Sequence, residues 1–405
     1  MRYFVLIPDG MADEPISCLG YKSPMESANK PTIDALAKCS LIGTVSNVPE
    51  GMVPESDTAN LAILSYDPKL FSKGRAPLEA VSMGISMSKN DTAYRCNVVT
   101  LSEEEGIPYE DRTIIDHSAD EISTEEAREL INALNDAFGG EAKTFYTGVS
   151  YRHCLIVQDG IERYNFMRPH DILGKRIGDY LPESDGPTKD FYVMMKESFD
   201  ILNHHPINES RRKRGLRPAN SAWFWSPGKK PQLPSFKEKW GLDGVVISAV
   251  DLIKGIGLCA GMKSVDVEGA TGNVKTNYSG KAEAAINAFK DGADYVYVHV
   301  EAPDECGHRA ETDNKVLSIE LIDSKILAPV LTYLESCGDD FKVLILPDHP
   351  TPVRLRTHTI DPVPFMIYDS RIARTGVPSF TENAAKACSY HIENGYTLME
   401  LMTKL

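Results

Sequence analysis

The sequence predicts an α/β fold in which strands deliver polar residues at their carboxyl ends, with a second domain inserted into the first. Two observations predict the fold class. Short apolar runs alternate with helical patterns near both ends of the chain, the rhythm of βαβ units. Three of those runs, residues 3–7, 295–300 and 341–346, are each followed closely by an acid, and open α/β sheets place their sites at strand carboxyl ends. A third observation, prolines at Pro218, Pro227, Pro231 and Pro234, marks the return from an insertion. The expected division is a core of residues 1–75 and 235–405 around an inserted domain of residues 76–234.

Residues 3–7 are apolar and β-prone, and Pro8-Asp9-Gly10 ends them, so the first strand terminates at Asp9. Taken alone, that aspartate is an ordinary turn residue. Residues 32–38 read as a helix begun by Thr32, and 41–48 as a second strand. Gly51 and Pro54 mark a loop, and Ala59, Leu61, Ala62 and Leu64 continue helically, which puts Ser56 at or just before a helix N-terminus. A serine there is either an N-cap or a nucleophile whose alkoxide and phosphoryl adduct the orphan N–H groups and the macrodipole favour. In the insertion, 95–100 reads as a strand and 124–135 as a helix capped by Ser123 or Thr124. Beyond the prolines, 244–250 is a strand ending in Asp251, 280–291 an amphipathic helix, and 295–300 a strand leading to Asp304 and His308. A helix at 316–335 precedes the strand 342–346, which runs into Pro347-Asp348-His349, with His358 shortly after.

At 405 residues, with 42% hydrophobic and 25% charged, the chain can bury two cores and is not disordered. A formal charge of −15 argues against nucleic acid or an anionic membrane as the main partner, though not against a small anion in a local basic pocket. The eight cysteines include no Cys-x-x-Cys pair, which suggests neither a zinc knuckle nor a disulfide framework and points to reduced thiols in the cytoplasm. The N-terminal apolar run is too short for a signal peptide, and no stretch approaches the ~18 apolar residues of a membrane span. Arg211-Arg212-Lys213-Arg214 reads as a solvated helix face, Trp223-Phe224-Trp225 as packing, and His204-His205 as structural or surface.

Asp9, Asp304, His308, Asp348, His349 and His358 offer carboxylate and imidazole ligands from several segments with no cysteine among them, and Ser56 makes a seventh. Such a set suits a pair of divalent ions, Mn²⁺, Mg²⁺ or Zn²⁺, more than a structural zinc. Paired metals are a recurrent solution for phosphoryl transfer. The segments Pro8-Asp9-Gly10-Met11-Ala12-Asp13, Ser56-Asp57-Thr58-Ala59-Asn60-Leu61, Gly74-Arg75-Ala76-Pro77-Leu78-Glu79-Ala80, Gly148-Val149-Ser150-Tyr151-Arg152-His153, Val267-Glu268-Gly269-Ala270-Thr271-Gly272 and Pro347-Asp348-His349 carry a resemblance over essentially the whole chain. The sequence resembles the archaeal-type 2,3-bisphosphoglycerate-independent phosphoglycerate mutases of the alkaline phosphatase superfamily.

That resemblance implies an alkaline-phosphatase-like three-layer α/β core with an inserted α+β cap domain. It implies that Ser56 becomes phosphorylated, that Asp9, Asp348 and His349 hold the metal beside it, and that Asp304, His308 and His358 hold the second. Mn²⁺ is the first choice of metal, with Mg²⁺ or Zn²⁺ as alternatives. Among the remaining positions, Asp116, His117 and Arg152 are candidate catalytic residues of the cap. Asn60, Arg75, Arg95, Arg217 and Lys254 are candidate substrate contacts, since arginine forks suit carboxylate and phosphate. The implied reaction interconverts 3-phosphoglycerate and 2-phosphoglycerate in the cytoplasm, on a small phosphorylated substrate, with no nucleic acid or membrane partner and oligomeric state left open. Rival readings are a homoserine kinase with the same metal core, a phosphatase or sulfatase of the superfamily, and a non-catalytic metal-binding interaction protein. No Gly-rich P-loop is present to favour the kinase.

Overall fold

A computed structural model describes residues 1–404. The strands in chain order are β1 (Arg2–Pro8), β2 (Leu41–Val45), β3 (Asp91–Leu101), β4 (Ile114–Asp116), β5 (Lys143–Tyr146), β6 (Arg152–Gln158), β7 (Ser221–Lys229), β8 (Gly244–Ile247), β9 (Lys263–Val265), β10 (Tyr295–Val300), β11 (Phe341–Ile345), β12 (Val363–Asp369) and β13 (His391–Ile392). The chain divides into two compact units, Met1–Ser72 with Gln232–Leu405 and Lys73–Pro231. Among the described residues no helix is long and apolar enough to cross a membrane.

The first unit is built on an eight-stranded sheet in the order β13-β2-β12-β11-β1-β10-β8-β9. Its middle is parallel: β1 pairs with both β10 and β11, and β10 with β8. Apart from half-buried Arg2, every residue of β1, β10 and β11 is buried, which requires cover on both faces and explains why these strands read as continuous apolar runs. Because β11, β1 and β10 are parallel neighbours, Asp348, Asp9 and Asp304 all emerge at the same edge of the sheet.

Two helices differ from their sequence patterns for identifiable reasons. The expected helix at 316–335 is Thr312–Ile322, a π-helical turn at Asp323–Leu327, and Ala328–Ser336; Pro329 has no N–H to offer the α register, and the wider turn precedes it. The helix Pro31–Ala37 is not capped by Thr32. The Asp323 carboxylate instead accepts from the Thr32 and Ile33 N–H groups at 3.2 and 2.6 Å, a long-range cap no local pattern announces.

Lys342 on β11 lies directly opposite Asp369 on β12. Its Nζ is 3.2 Å from Asp369 Oδ2 with both side chains almost fully buried, and Arg371 grips the same carboxylate with Nε and Nη2 at 3.0 and 2.8 Å. The Arg371 hydrogen bond, joined by Lys342 and opposed by burial, holds the Asp369 carboxyl well below its ordinary range. A folded-state value below the unfolded one contributes stability that is complete above about pH 4 and fades as pH falls toward the folded value. Asp369→Asn is therefore expected to cost about 3 kcal/mol at pH 7, with the gap to the unaltered protein narrowing below about pH 4. Parallel thermal unfolding of the two proteins from pH 3 to 7 measures this, and a pH-independent gap would refute it.

The second unit carries an antiparallel sheet in the order β4-β3-β6-β5, with β7 also pairing to β3. The aromatic run Trp223-Phe224-Trp225 lies on β7 inside its core, and Trp223 Nε1 donates to Met167 O at 2.8 Å, in keeping with a packing role. The basic run is only partly solvated. Arg211 is 2% exposed, pairs with Glu126 and donates to the carbonyls of Ala119 and Arg217 at 2.6 and 2.9 Å, so its first member is an internal clamp rather than part of a charged face.

Candidate active site

Each ligand-bearing residue of the first unit is aimed by a different local device. Asp9 follows β1 at a turn where Gly10 has φ +62°, and a Cβ on Gly10 would lie 2.8 Å from Asp304 Cα. Only glycine lets the two segments approach this closely. Asp304 and His308 lie beyond β10 on a short helix, Ala302–His308. Pro303 stands in its first turn, where a missing N–H costs nothing, and the i, i+4 spacing turns both side chains to one face. Asp348 and His349 leave β11 in a loop held by Asn47, whose Nδ2 donates to Asp348 O at 2.9 Å.

Ser56 opens the helix Ser56–Ile63, with Glu55 in the N-cap position and no side-chain cap. The N-cap reading of Ser56 is thereby excluded. Its Oγ lies 3.3 Å from His349 Nε2. Asn60, one turn on, was expected to touch substrate. It is fully buried, donating to Ser56 O at 2.8 Å and to Asp348 Oδ2 at 2.9 Å and accepting from Tyr297 OH, so its side chain ties the nucleophile's helix to the ligand loop.

Around Ser56, His349 Nε2 is 3.4 Å from Asp348 Oδ2 and 3.8 Å from Asp9 Oδ1. Gly10 N and His349 N both donate to Asp348 Oδ1, at 3.2 and 2.9 Å. Beside this group, His308 Nε2 and His358 Nε2 each stand 3.3 Å from an Asp304 oxygen and 2.9 Å from each other. Their Nδ1 atoms donate to the Arg356 and Pro54 carbonyls at 3.0 and 2.6 Å. Carbonyl oxygens only accept, so each Nδ1 carries an N–H; without a cation a proton on Nε2 can bond Asp304, whereas in the neutral ring Nε2 presents a lone pair to the other ring and to Asp304.

Burial, then repulsion by Asp348 and Asp304, raises the Asp9 carboxyl well above its ordinary value. Burial would raise Asp304 too, but hydrogen bonds from His308 and His358 outweigh it and hold it low. His308 is raised to about 9, chiefly by its bond to Asp304. Asp9 Oδ1 is buried with no hydrogen-bond partner. Carboxylates packed on carboxylates and lone pairs facing lone pairs are unfavourable unless positive charge lies among them. Potential ligand groups form accordingly: Asp304 with His308 and His358, Asp9 with Asp304 and His349, and Asp9 with His299 and Asp348. These donors fit divalent cations.

His299, within β10, and Thr351, whose Oγ1 donates to Asp304 Oδ1 at 2.5 Å, went unrecognised in the sequence. A histidine inside an otherwise apolar strand, five positions before Asp304, was the available signal. Lys254, expected at the substrate, pairs with Asp266 and Asp251 at 2.8 and 3.3 Å on the helix after β8.

The second unit holds the remaining candidates. Asp116, at the end of β4, accepts from Ser118 N, Ser118 Oγ and Asp120 N, each at 2.8 Å, and from Arg217 Nη1 at 3.1 Å. Against its burial, these bonds lower the carboxyl below its usual value. Such a saturated carboxylate is a poor proton acceptor, and Arg217 is engaged in holding it. His117 is different: its Nδ1 is buried without a hydrogen bond, and its ring meets Tyr151 edge-on at 5.5 Å. Arg95 on β3 pairs with Glu79 at 2.9 Å and lies 4.1 Å from the Trp225 ring. Burial depresses its pKa, the Glu79 charge opposes that, and the charges of Arg75 and Arg152 add to the depression. Guanidinium forks grouped in this way suit carboxylate or phosphate groups.

Comparison with known proteins shows the family of the chain. The family model described as 2,3-bisphosphoglycerate-independent phosphoglycerate mutase matches residues 37–208. A probable 2,3-bisphosphoglycerate-independent phosphoglycerate mutase of Geobacter sulfurreducens is 44% identical over 99% of both chains, and the enzyme of that name from Methanosarcina barkeri is 44% identical over 100% of both. A solved structure of a Pyrococcus horikoshii protein covers 100% of this chain and 96% of its own at 28% identity and a TM-score of 0.82. The cofactor-independent phosphoglycerate mutase of Thermoplasma acidophilum covers 100% of both at 26% identity and a TM-score of 0.68. With relatives this similar along the entire chain, the protein belongs to the 2,3-bisphosphoglycerate-independent phosphoglycerate mutase family.

Proposed function

We propose that the chain interconverts 3-phosphoglycerate and 2-phosphoglycerate by moving the phosphoryl group through Ser56. The observation that carries this reading is an uncapped serine hydroxyl at a helix N-terminus, 3.3 Å from His349, beside buried donors suited to divalent ions. Asp9, Asp348 and His349 would hold one ion and Asp304, His308 and His358 the other, with Mn²⁺ the preferred metal. When bound, such ions supply Lewis-acid chemistry, lowering the pKa of a hydroxyl and offsetting charge on phosphoryl oxygens.

Ser56 Oγ attacks phosphorus, and its new P–O bond forms as the bond to one substrate oxygen breaks. The released hydroxyl takes up one proton and the attacking serine gives one up. In the return step the other glycerate hydroxyl attacks phosphoserine, and the proton count again balances. Orphan N–H groups of the helix's first turn favour the negative phosphoryl on Ser56. Asn60 keeps that helix in register with Asp348. We assign proton transfer at the glycerate hydroxyls to His117 rather than Asp116, because the Asp116 carboxylate is fully engaged, and recognition of the substrate anion to Arg95 with Arg75 and Arg152.

Purified protein with Mn²⁺, supplied with 3-phosphoglycerate and coupled to enolase, is expected to turn over, and chelator to stop it. Turnover of homoserine with ATP in place of 3-phosphoglycerate would overturn the substrate assignment while leaving the metal ligands untouched.

A further inference from the structure

Resting on the two-metal reading, we propose that His299 is a protein ligand of the ion that Asp9 and Asp348 share. Its side chain is completely buried. β10 pairs with β1 so that His299 lies opposite Ile7, two residues before Asp9, and this register brings the imidazole to the aspartate. Nε2 stands 3.1 Å from Asp9 Oδ2, yet Nε2 makes no hydrogen bond. Two buried donor atoms at that distance with no proton shared between them have the spacing of adjacent ligands, since atoms bound at about 2.1 Å and at a right angle stand about 3.0 Å apart. The ligand atoms of Asp9, His299 and Asp348 all lie within 4.8 Å of one another.

The rest of the ring is arranged to leave that nitrogen its lone pair. His299 Nδ1 is 3.3 Å from Ser248 Oγ. The same Oγ accepts from Val250 N at 3.0 Å and has a second lone pair for an Nδ1–H donor. A histidine ligand commonly spends its other N–H on such an oxygen, which fixes both tautomer and ring plane. Buried Lys281 donates from Nζ to the His299 carbonyl at 2.8 Å and pins the strand end. Asp9 is thereby placed between two imidazoles, with Oδ2 toward His299 and Oδ1 toward His349.

The test is titration of metal-free protein with Mn²⁺ by calorimetry, with metal content measured after dialysis. The unaltered protein is expected to bind two ions. In His299→Ala, one binding event should weaken by about 10- to 100-fold while the other, at Asp304, His308 and His358, is unchanged. His299→Asp, which restores an oxygen ligand, should recover most of the loss, and His299→Gln, which can restore a hydrogen-bond donor to Asp9, should not. Equal affinity in His299→Ala, or recovery by Gln equal to that by Asp, overturns the proposal. Three ions in the unaltered protein with one lost in His299→Ala would also overturn it, by giving His299 an ion that is not the nucleophile's. If the variants do not fold, a crystal of the unaltered protein loaded with Mn²⁺ decides. An anomalous peak within about 2.4 Å of His299 Nε2 supports ligation, and one held by Asp9, Asp348 and His349 with Nε2 out of reach refutes it. Absence of any Mn²⁺ binding by the unaltered protein would defeat the metal reading as a whole, whereas unaltered binding in His299→Ala defeats only this part.

Discussion

Ser56→Ala is expected to reduce turnover by about 10⁵-fold or more while leaving the fold intact. The size follows from the role, since removing the nucleophile of a covalent mechanism leaves only binding and electrostatic stabilisation, and comparable removals cost 10⁴ to 10⁶. The intact fold follows from position. Ser56 is half-buried, its Oγ caps nothing, and its side-chain contact is the 3.3 Å approach to His349. Stability should therefore change by less than about 1 kcal/mol. The buried ties of that helix, Asn60 to Asp348 and to Tyr297, remain. Steady-state rates with the enolase couple, unfolding curves, and mass spectrometry for a phosphorylated Ser56 peptide in the unaltered enzyme test the claim together. Activity within tenfold of the unaltered protein, in a folded variant, would remove Ser56 from the mechanism.

The parts of this site that could be read from the sequence are those whose chemistry interrupts a local pattern. Asp9 and the Asp348-His349 pair each stand where a proline ends an apolar strand, and Ser56 where a loop yields to a helical pattern. The parts that stayed hidden depend on distance in sequence or on occupancy. His299 sits inside β10, where alternation reads only as strand. Thr351 and Asn60 acquire meaning from partners 47 and 288 residues away. Asp116 and His117 are adjacent and chemically equivalent as candidates until the donors around Asp116 are counted. In the fold, the helical pattern through 316–335 is legible, but its π-helical turn is not, because that turn lies in the backbone hydrogen-bond register ahead of Pro329. The cap of the helix Pro31–Ala37 was misplaced for the same reason as His299: its partner Asp323 is remote in sequence.

Lys315→Ala is expected to destabilise the first unit by about 3–5 kcal/mol. Lys315 is fully buried, and its Nζ donates to Asp13 Oδ2 at 2.7 Å and to Thr351 O at 2.8 Å. Truncation leaves the Asp13 carboxylate, itself 1% exposed, without its cation and with only the Glu14 and Val353 N–H groups, at 2.7 and 3.1 Å, as partners. An uncompensated buried charge costs more than the ion pair contributes, so the penalty exceeds that of a surface bridge several-fold. Replacing both partners, Lys315→Met with Asp13→Asn, should accordingly cost less than Lys315→Ala alone, and denaturant titration of the three proteins measures the difference. A loss below about 1 kcal/mol for Lys315→Ala would show that the pair does not carry this load. The same substitution should also loosen metal binding. Lys315 fixes the Thr351 carbonyl, Thr351 Oγ1 orients Asp304, and Asp304 faces both His308 and His358, so a cation buried beneath the sheet edge sets the geometry of a ligand group it never touches.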